Sequence, residues 1–504
     1  MEVGAGAARS PSQDPQMVYP YARKKAANER PVMNDELQKE IDAYLDAHWD
    51  DVVADIDALV RIESVEDLAN AAEGAPFGPG PRAALDQALA IAGRMGLETH
   101  DCDGYVGYAD LPGASSKQIG IIGHVDVVPA GVGWKFEPYR VTRHEGYLMG
   151  RGVSDDKGPI MVALHAVKFW ADRVAASGER LPYTVRVLFG ANEETNMKDV
   201  PYYRARHDDP DFLFTPDNQF PLAYGESGIC SGTLVSGEIT DGMIVEIEGG
   251  QAVNAVPGLA HAVVRSSLEG LPEREGISLS PSGEGLVRVE ARGVPAHAST
   301  PELGVNAIEL LVGYLVDAGL CSAEERQFLS FLRAVLADVS GSRVEIAVRD
   351  EHFGALTMIG GMVSLQDGRI CQSIDVRYPT TITAERIERR INKAAFESVL
   401  GAYFTLEHDK VPFLTDPESP AVRALLEAYN EATGENRQGA TTKGGTYARE
   451  FSVGVSFGAE KPWVQDPAWV GGMHAVDEGV REEGLKEAFA IYARTLGNLM
   501  QTDL

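Results

Sequence analysis

The stretch from Ile119 to Pro159, IGIIGHVDVVPAGVGWKFEPYRVTRHEGYLMGRGVSDDKGP, constrains this chain more than any other. Ile119 to Ile122 are apolar or small and run into Gly123 and His124, the pattern of a buried parallel strand that ends in a turn. His124 is then expected at a carboxyl-terminal strand edge, where open α/β sheets collect ligands and catalytic groups. Asp126 follows two residues later, and along an extended segment its side chain points to the same side. A further acid, Asp155, lies in the turn ahead of Gly158-Pro159, where Ile160, Leu164 and Val167 begin a helix.

One His-x-Asp triplet is weak evidence for a site, because chance supplies many. Here the arrangement recurs. TVRVLFGANEE ends in Glu193 and Glu194, FLFTPD ends in Asp217, and GGMHAVDE carries His474. Imidazoles and carboxylates without sulfur suit Zn²⁺, Mn²⁺ or Co²⁺. Adjacent side chains on an extended segment diverge, so Glu193 and Glu194 are expected to differ in role.

From Pro81 to Asp217 helices (Ala83 to Met95, Ile160 to Ala175) alternate with short apolar strands, which is α/β layering. The rhythm then changes. Strand 286–292, helix 305–318, hairpin 356–365 and 370–378, helix 384–399 and strand 403–408 follow the β-α-β-β-α-β order of a ferredoxin-like unit, with Asp367-Gly368 as the hairpin turn. Pieces at 243–248, 261–265 and 324–337 enlarge it. The expected division is a disordered extension at 1–32, a catalytic part at 33–242, an inserted lid at 243–409 and a second catalytic part at 410–504.

Lys and Arg number 45 against 75 Asp and Glu, a formal charge of −30. Such a surface repels phosphate backbones and anionic bilayers, which argues against nucleic acid and membrane partners and for a small-molecule substrate. No apolar run approaches the ~18 residues of a membrane span. The four cysteines, Cys102, Cys230, Cys321 and Cys371, lack CxxC spacing, so a reducing cytoplasm is expected.

In chain order, GHVDVVP, Trp134 and Pro138, GRGVSDDKGP, NEETN, TPD and MHAVDE resemble peptidase family M20, in its bacterial dipeptidase V and Sapep-type branch. The resemblance runs from about Met33 to Leu504. It implies an α/β two-metal peptidase catalytic domain with an inserted ferredoxin-like α+β lid domain. Two divalent metal ions are implied, Zn or Mn with Co as a further candidate: His124 and Asp217 on one, Glu194 and His474 on the other, Asp155 bridging. The family pattern selects the first acid of its pair, and the residues alone leave Asp156 open beside Asp155. Glu193 corresponds to the general base, Asp126 to the acid that orients His124, and His297 in GVPAHASTPELGVNAI to a transition-state histidine. Asn254 and Arg377 correspond to lid residues that touch substrate, and the Gly444-Gly445-Thr446 turn offers backbone donors to a carboxylate.

The implied activity is metal-dependent hydrolysis of short unsubstituted peptides by activated water. An N-acyl-amino-acid amidohydrolase and a non-catalytic metal-binding paralogue are the alternatives. A monomer that supplies His297 to its own site is favoured, with a homodimer as the alternative.

Overall fold

Apolar runs separated by amphipathic helices lead to parallel strand pairing, because only a crossover can return the chain to the same edge. The computed structural model describes residues 17–18 and 33–504 apart from Asn196, and ten of its strands form one sheet. The path runs Met17–Val18, Ala440–Thr442, Ala223–Glu226, Gly454–Ser456, Phe212–Thr215, Gln118–His124, Thr184–Gly190, Val106–Leu111 and Glu98–Cys102, with Phe413–Leu414 paired to Ala223–Glu226. Thr184–Gly190, Gln118–His124 and Phe212–Thr215 are parallel neighbours, with His124 opposite Gly190 and Ile121 opposite Phe214. Their carboxyl ends therefore share one edge. The stretch 1–32, expected as a disordered extension, lies outside the described residues except for Met17–Val18, which pair with Thr442 and Thr441.

Side chains on these strands alternate between two cores, as a sheet covered on both faces requires. Ile119, Ile121, Val185, Val187 and Phe189 enter the larger one with helices Met33–Val60, Lys157–Ser177 and Glu482–Leu499. Ile122 and Leu188 enter a smaller one with Val200, Tyr203 and Tyr447. Gly123 has a positional reason. A Cβ there would fall 2.1 Å from Asp156 Oδ2 and 2.8 Å from Ile160 Cβ, so only glycine lets the Asp155-Asp156 turn pack directly on the strand.

The second sheet has eight antiparallel strands in the order Ile277–Pro281, Leu286–Arg292, Leu259–Arg265, Ile244–Gly249, Thr357–Gln366, Arg369–Tyr378, Gly228–Val235 and Tyr403–Lys410. Helices Ala307–Asp317, Ala323–Leu336 and Ala384–Ser398 contribute to its core. Asp367 and Gly368 both have positive φ, 47° and 71°, which is the type I′ geometry that matches strand twist in a two-residue hairpin. Ser322 and Glu325 close a capping box, and the same Glu325 carboxylate accepts the N–H groups of Met243 and Ile244 at 3.0 and 2.8 Å, tying the helix to a strand start. Gly228–Val235 lies ahead of the expected boundary at 243, yet it is hydrogen-bonded inside this sheet, between Arg369–Tyr378 and Tyr403–Lys410. Its sequence, GICSGTLV, is poor in large apolar residues because large neighbours fill the space: Tyr378 packs over Gly228 and Phe404 over Gly232. Among the described residues no helix is long and apolar enough to cross a membrane.

The larger core includes an aromatic contact between helices Met33–Val60 and Glu482–Leu499, where Phe489 is fully buried and stacks on Tyr44 with centroids 5.1 Å apart. Phe489→Ala is expected to lower the stability of this layer by about 3–5 kcal/mol, read from urea denaturation followed by tryptophan fluorescence. A loss below about 1 kcal/mol would mean that the site repacks without the ring.

Candidate active site

The shared strand edge gathers the acids and imidazoles that the sequence singles out. His124 ends its strand fully buried, and its Nε2 lies 2.9 Å from Asp155 Oδ1 and 3.8 Å from Asp217 Oδ2. His474 arrives from a loop with φ of 65°, its side chain 54% exposed, and its Nε2 lies 3.0 Å from Asp155 Oδ2 and 2.9 Å from Glu194 Oε2. Asp155 thus stands between the two histidines. Asp156 faces elsewhere: its Oδ2 accepts the backbone N–H of His124 at 3.2 Å, and its Oδ1 is buried without a hydrogen-bond partner. Ligand-type atoms of His124, Asp155 and Glu194 lie within 4.8 Å of one another, as do those of His124, Glu193 and Asp217.

Glu193 and Glu194 lie in a turn and not on an extended strand; Glu194 Oε2 is 2.9 Å from His474 Nε2, whereas Glu193 groups with His124 and Asp217. Asp126 holds that turn, accepting the Glu193 and Glu194 N–H groups at 3.2 and 3.1 Å. Its carboxylate is 3.5 Å from His124 Nδ1, whereas its backbone carbonyl is 3.0 Å away and is the closer partner of the ring. Asp199, which the sequence reading missed, accepts the Ala191 and Asn192 N–H groups at 2.8 and 3.0 Å and the hydroxyl of Tyr447. A lone aspartate at the start of a short helix carries no sequence signal for such a role.

The lid residues collect nearby. Ala255 pairs with His297 across a two-stranded ribbon, and the Asn254 carbonyl accepts the Ala298 N–H at 2.9 Å. Ser299 N–H donates to His297 Nδ1 at 3.2 Å. Ser299 Oγ is nearer to the same nitrogen, at 2.7 Å, and a hydroxyl can donate or accept, but an amide can only donate, which assigns the lone pair to Nδ1 and the proton of the neutral ring to Nε2. His297 keeps an exposed edge, but the protein around it desolvates the ring, and burial first, then the charges of Arg377 and His474, pull it down to about 4.

Arg377 is buried and donates from Nε and Nη2 to Asp375 at 2.8 and 3.2 Å and from Nη1 to the Lys443 carbonyl at 3.2 Å. The Gly444-Gly445-Thr446 turn lies against it but does not offer three free amides. Gly444 N–H donates to Thr442 Oγ1 at 3.0 Å and Thr446 N–H to Glu226 Oε2 at 3.1 Å, because the protein's own buried carboxylate occupies that turn. Gly445 is the member of the turn whose amide has no acceptor among the described hydrogen bonds.

Residues 120–498 match the family described as Peptidase family M20/M25/M40. The chain belongs to this family. A protein of Staphylococcus haemolyticus is 32% identical over 473 residues, covering 89% of this chain and 97% of its own length. A Lactobacillus delbrueckii subsp. lactis enzyme named Beta-Ala-Xaa dipeptidase is 31% identical over 481 residues, covering 91% and 98%. Human carnosine dipeptidase 1 superposes with a TM-score of 0.54 at 16% identity, covering 94% of this chain and 99% of that one. At that identity the likeness is one of fold, an M20 catalytic domain plus a lid.

The candidate site is short of positive charge. Burial, and then the charge of Asp155, push Asp217 up to about 7. Burial, and then Asp217, raise Glu193 well above the usual carboxyl range. Hydrogen bonds to Asp155 and Glu194 push His474 up to about 11. Burial opposes ionisation of Asp155 too, but the hydrogen bonds from His124 and His474 overcome it and hold that carboxyl low. Protons are thus drawn in to compensate converging carboxylates, and divalent cations would replace them. Nitrogen and oxygen donors at these separations fit such ions.

For the lid histidine, ¹⁵N NMR is expected to show the Nε2–H tautomer of His297 and a midpoint near 4. A folded value below the ordinary ~6.5 means that the unfolded chain takes up the proton first. Stability from this residue therefore falls as pH drops from about 6.5 toward 4. A His297 midpoint at or above 6.5 would contradict the enclosed setting.

Proposed function

We propose that this M20 chain is a dipeptidase that hydrolyses short unsubstituted peptides at a centre of two divalent ions, Zn²⁺ or Mn²⁺ with Co²⁺ also suited. Asp155 carries the proposal. Its two oxygens face different imidazoles, at 2.9 and 3.0 Å, which is the arrangement of a bridging carboxylate. His124 and Asp217 would hold one ion, Glu194 and His474 the other. When bound, such ions polarise the scissile carbonyl and lower the proton affinity of water.

The chain's own groups supply the remaining chemistry. Glu193 would take the proton of the attacking water and return it to the leaving amine. His297 has its Nε2–H free to donate to the oxygen that becomes anionic, and as a neutral ring it does so without repelling the cations. Asp126 fixes the backbone from which Glu193 and Glu194 project, through their amides. Two guanidinium N–H groups of Arg377 are left over from its three bonds, and with the Gly445 amide and the exposed Asn254 they are suited to a peptide's terminal carboxylate and backbone. The dipeptidase name of the 31% identical relative supports the substrate class.

The same proposal takes residues 228–410 as the lid and keeps a monomer that supplies His297 to its own site, with a homodimer as the alternative. Four free cysteines suit a cytoplasmic setting.

Metal analysis beside turnover separates the roles. Glu193→Gln is expected to keep its metal and lose about 10²–10⁴-fold in activity, whereas His474→Ala should lose metal. Equal metal loss in both would make Glu193 a ligand. For substrate choice, C-terminal amidation of a dipeptide is expected to cost about 2–5 kcal/mol in kcat/KM, and Arg377→Ala should shrink that difference while both ions stay bound. Equal turnover of a dipeptide and its amide would shift the function toward an aminopeptidase or a broad amidohydrolase.

A further inference from the structure

Three pieces of the sequence motifs take no part in the chemistry above: Trp134 with Pro138, the Gly150-Arg151-Gly152 turn, and Glu478 at the end of MHAVDE. The fold brings them to one place. Glu478 is fully buried, and its Oε1 accepts the N–H groups of Gly152 and Ser154 at 3.0 Å each and of Asp155 at 3.3 Å. Its Oε2 accepts Arg151 Nη1. Arg151 is buried as well; its N–H donates to the Pro138 carbonyl at 2.7 Å and its guanidinium lies 5.3 Å from the Trp134 ring centre. Its Nη2 reaches the carbonyls of Pro129 and His474, each at 3.4 Å. Next to Glu478, Asp477 Oδ1 accepts the N–H groups of Lys135 and Phe136 at 2.7 and 3.3 Å.

Asp155 and His474 both sit on loops; the ladder that pairs Tyr147–Met149 with Gly479–Arg481, and the Gly150 N–H on the Glu478 carbonyl at 3.0 Å, join the bases of these loops but stop short of both residues. A buried ion pair gains little for stability over an apolar pair of the same volume, because desolvation offsets the attraction. This pair does something an apolar pair could not. One carboxylate carries three amides of the Asp155 loop, while its cationic partner, from that loop, reaches back to the His474 carbonyl. Neither side chain touches the reacting atoms.

We infer that Glu478, together with Arg151, is a positioning residue that fixes the separation of Asp155 and His474 and thereby sets the affinity of the half-site formed by Asp155, Glu194 and His474. The inference rests on the two-ion function proposed above. Trp134 and Pro138 then act through Arg151, one covering its guanidinium and the other anchoring its backbone.

The test is a Zn²⁺ titration of the metal-free full chain against a chromophoric chelator. Glu478→Gln keeps the shape and one acceptor oxygen but loses the charge. Two equivalents are expected to bind the wild-type protein, and in Glu478→Gln one of them should bind about 10–100-fold more weakly, while the other, which shares only Asp155 with that half-site, should weaken by a clearly smaller factor. Arg151→Lys keeps a point charge without the planar fork and should weaken the same equivalent by a smaller factor, which decides the matter if Glu478→Gln does not fold. Wild-type affinity for both equivalents in the folded variants overturns the inference, and so does equal weakening of both, the mark of a general structural role. A wild-type protein that takes fewer than two equivalents overturns the two-ion function itself, and the positioning role with it.

Discussion

Buried carboxylates that face one another are the constraint on which this structure depends. Asp155, Glu193, Glu194 and Asp217 converge on two imidazoles at the end of a parallel sheet, where burial makes an uncompensated charge costly. The directions of their pKa shifts follow from that cost: acids rise, the second histidine rises with them, and only the carboxyl placed between both rings stays low. Such a cluster is stable only with cations inside it, whether protons or metals.

Further acids build the surroundings by accepting backbone amides. Asp126 holds the Glu193-Glu194 turn, Asp199 holds the residues just before it, and Glu478 holds the loop of Asp155. A carboxylate accepts several amide hydrogens at once, which suits irregular backbone that no ladder supports. The lid is joined to this layer in the same economical way. Arg449 Nη2 donates to the Ser227 carbonyl at 3.3 Å on one crossover and to Lys410 at 3.2 Å and Val411 at 2.6 Å on the other. Arg377 adds a link from a lid strand to the loop of Lys443.

The places where sequence pattern and structure part company have physical causes. GICSGTLV was not legible as a lid strand, since its glycines make room for Tyr378 and Phe404 and leave little apolar signal of its own. The glycine turn at 444–446 has the composition of an anion nest, but Glu226 already fills it with a buried carboxylate contributed by a distant strand. Asp126 lies two residues from His124, and its carboxylate, 3.5 Å from the ring, also serves the next strand's turn, while its carbonyl is the closer partner of the ring. Each difference involves a partner far away in the chain.

What the sequence determined by itself was the strand edge and the kinds of side chain that arrive there, because apolar periodicity fixes where parallel strands end and the motifs that follow them are local. It also carried the antiparallel lid pattern, through helix and hairpin signals such as Asp367-Gly368. Only the tertiary structure decided which acid of the Asp155-Asp156 pair faces the histidines, which ring nitrogen of His297 keeps its proton, and what Glu478 and Arg151 hold. Adjacent or isolated residues of the same chemistry look alike in one dimension. Direction, tautomer and charge compensation are set by groups that folding brings from elsewhere: the His124 amide on Asp156, the Ser299 amide on His297, and the Asp155 loop on Glu478.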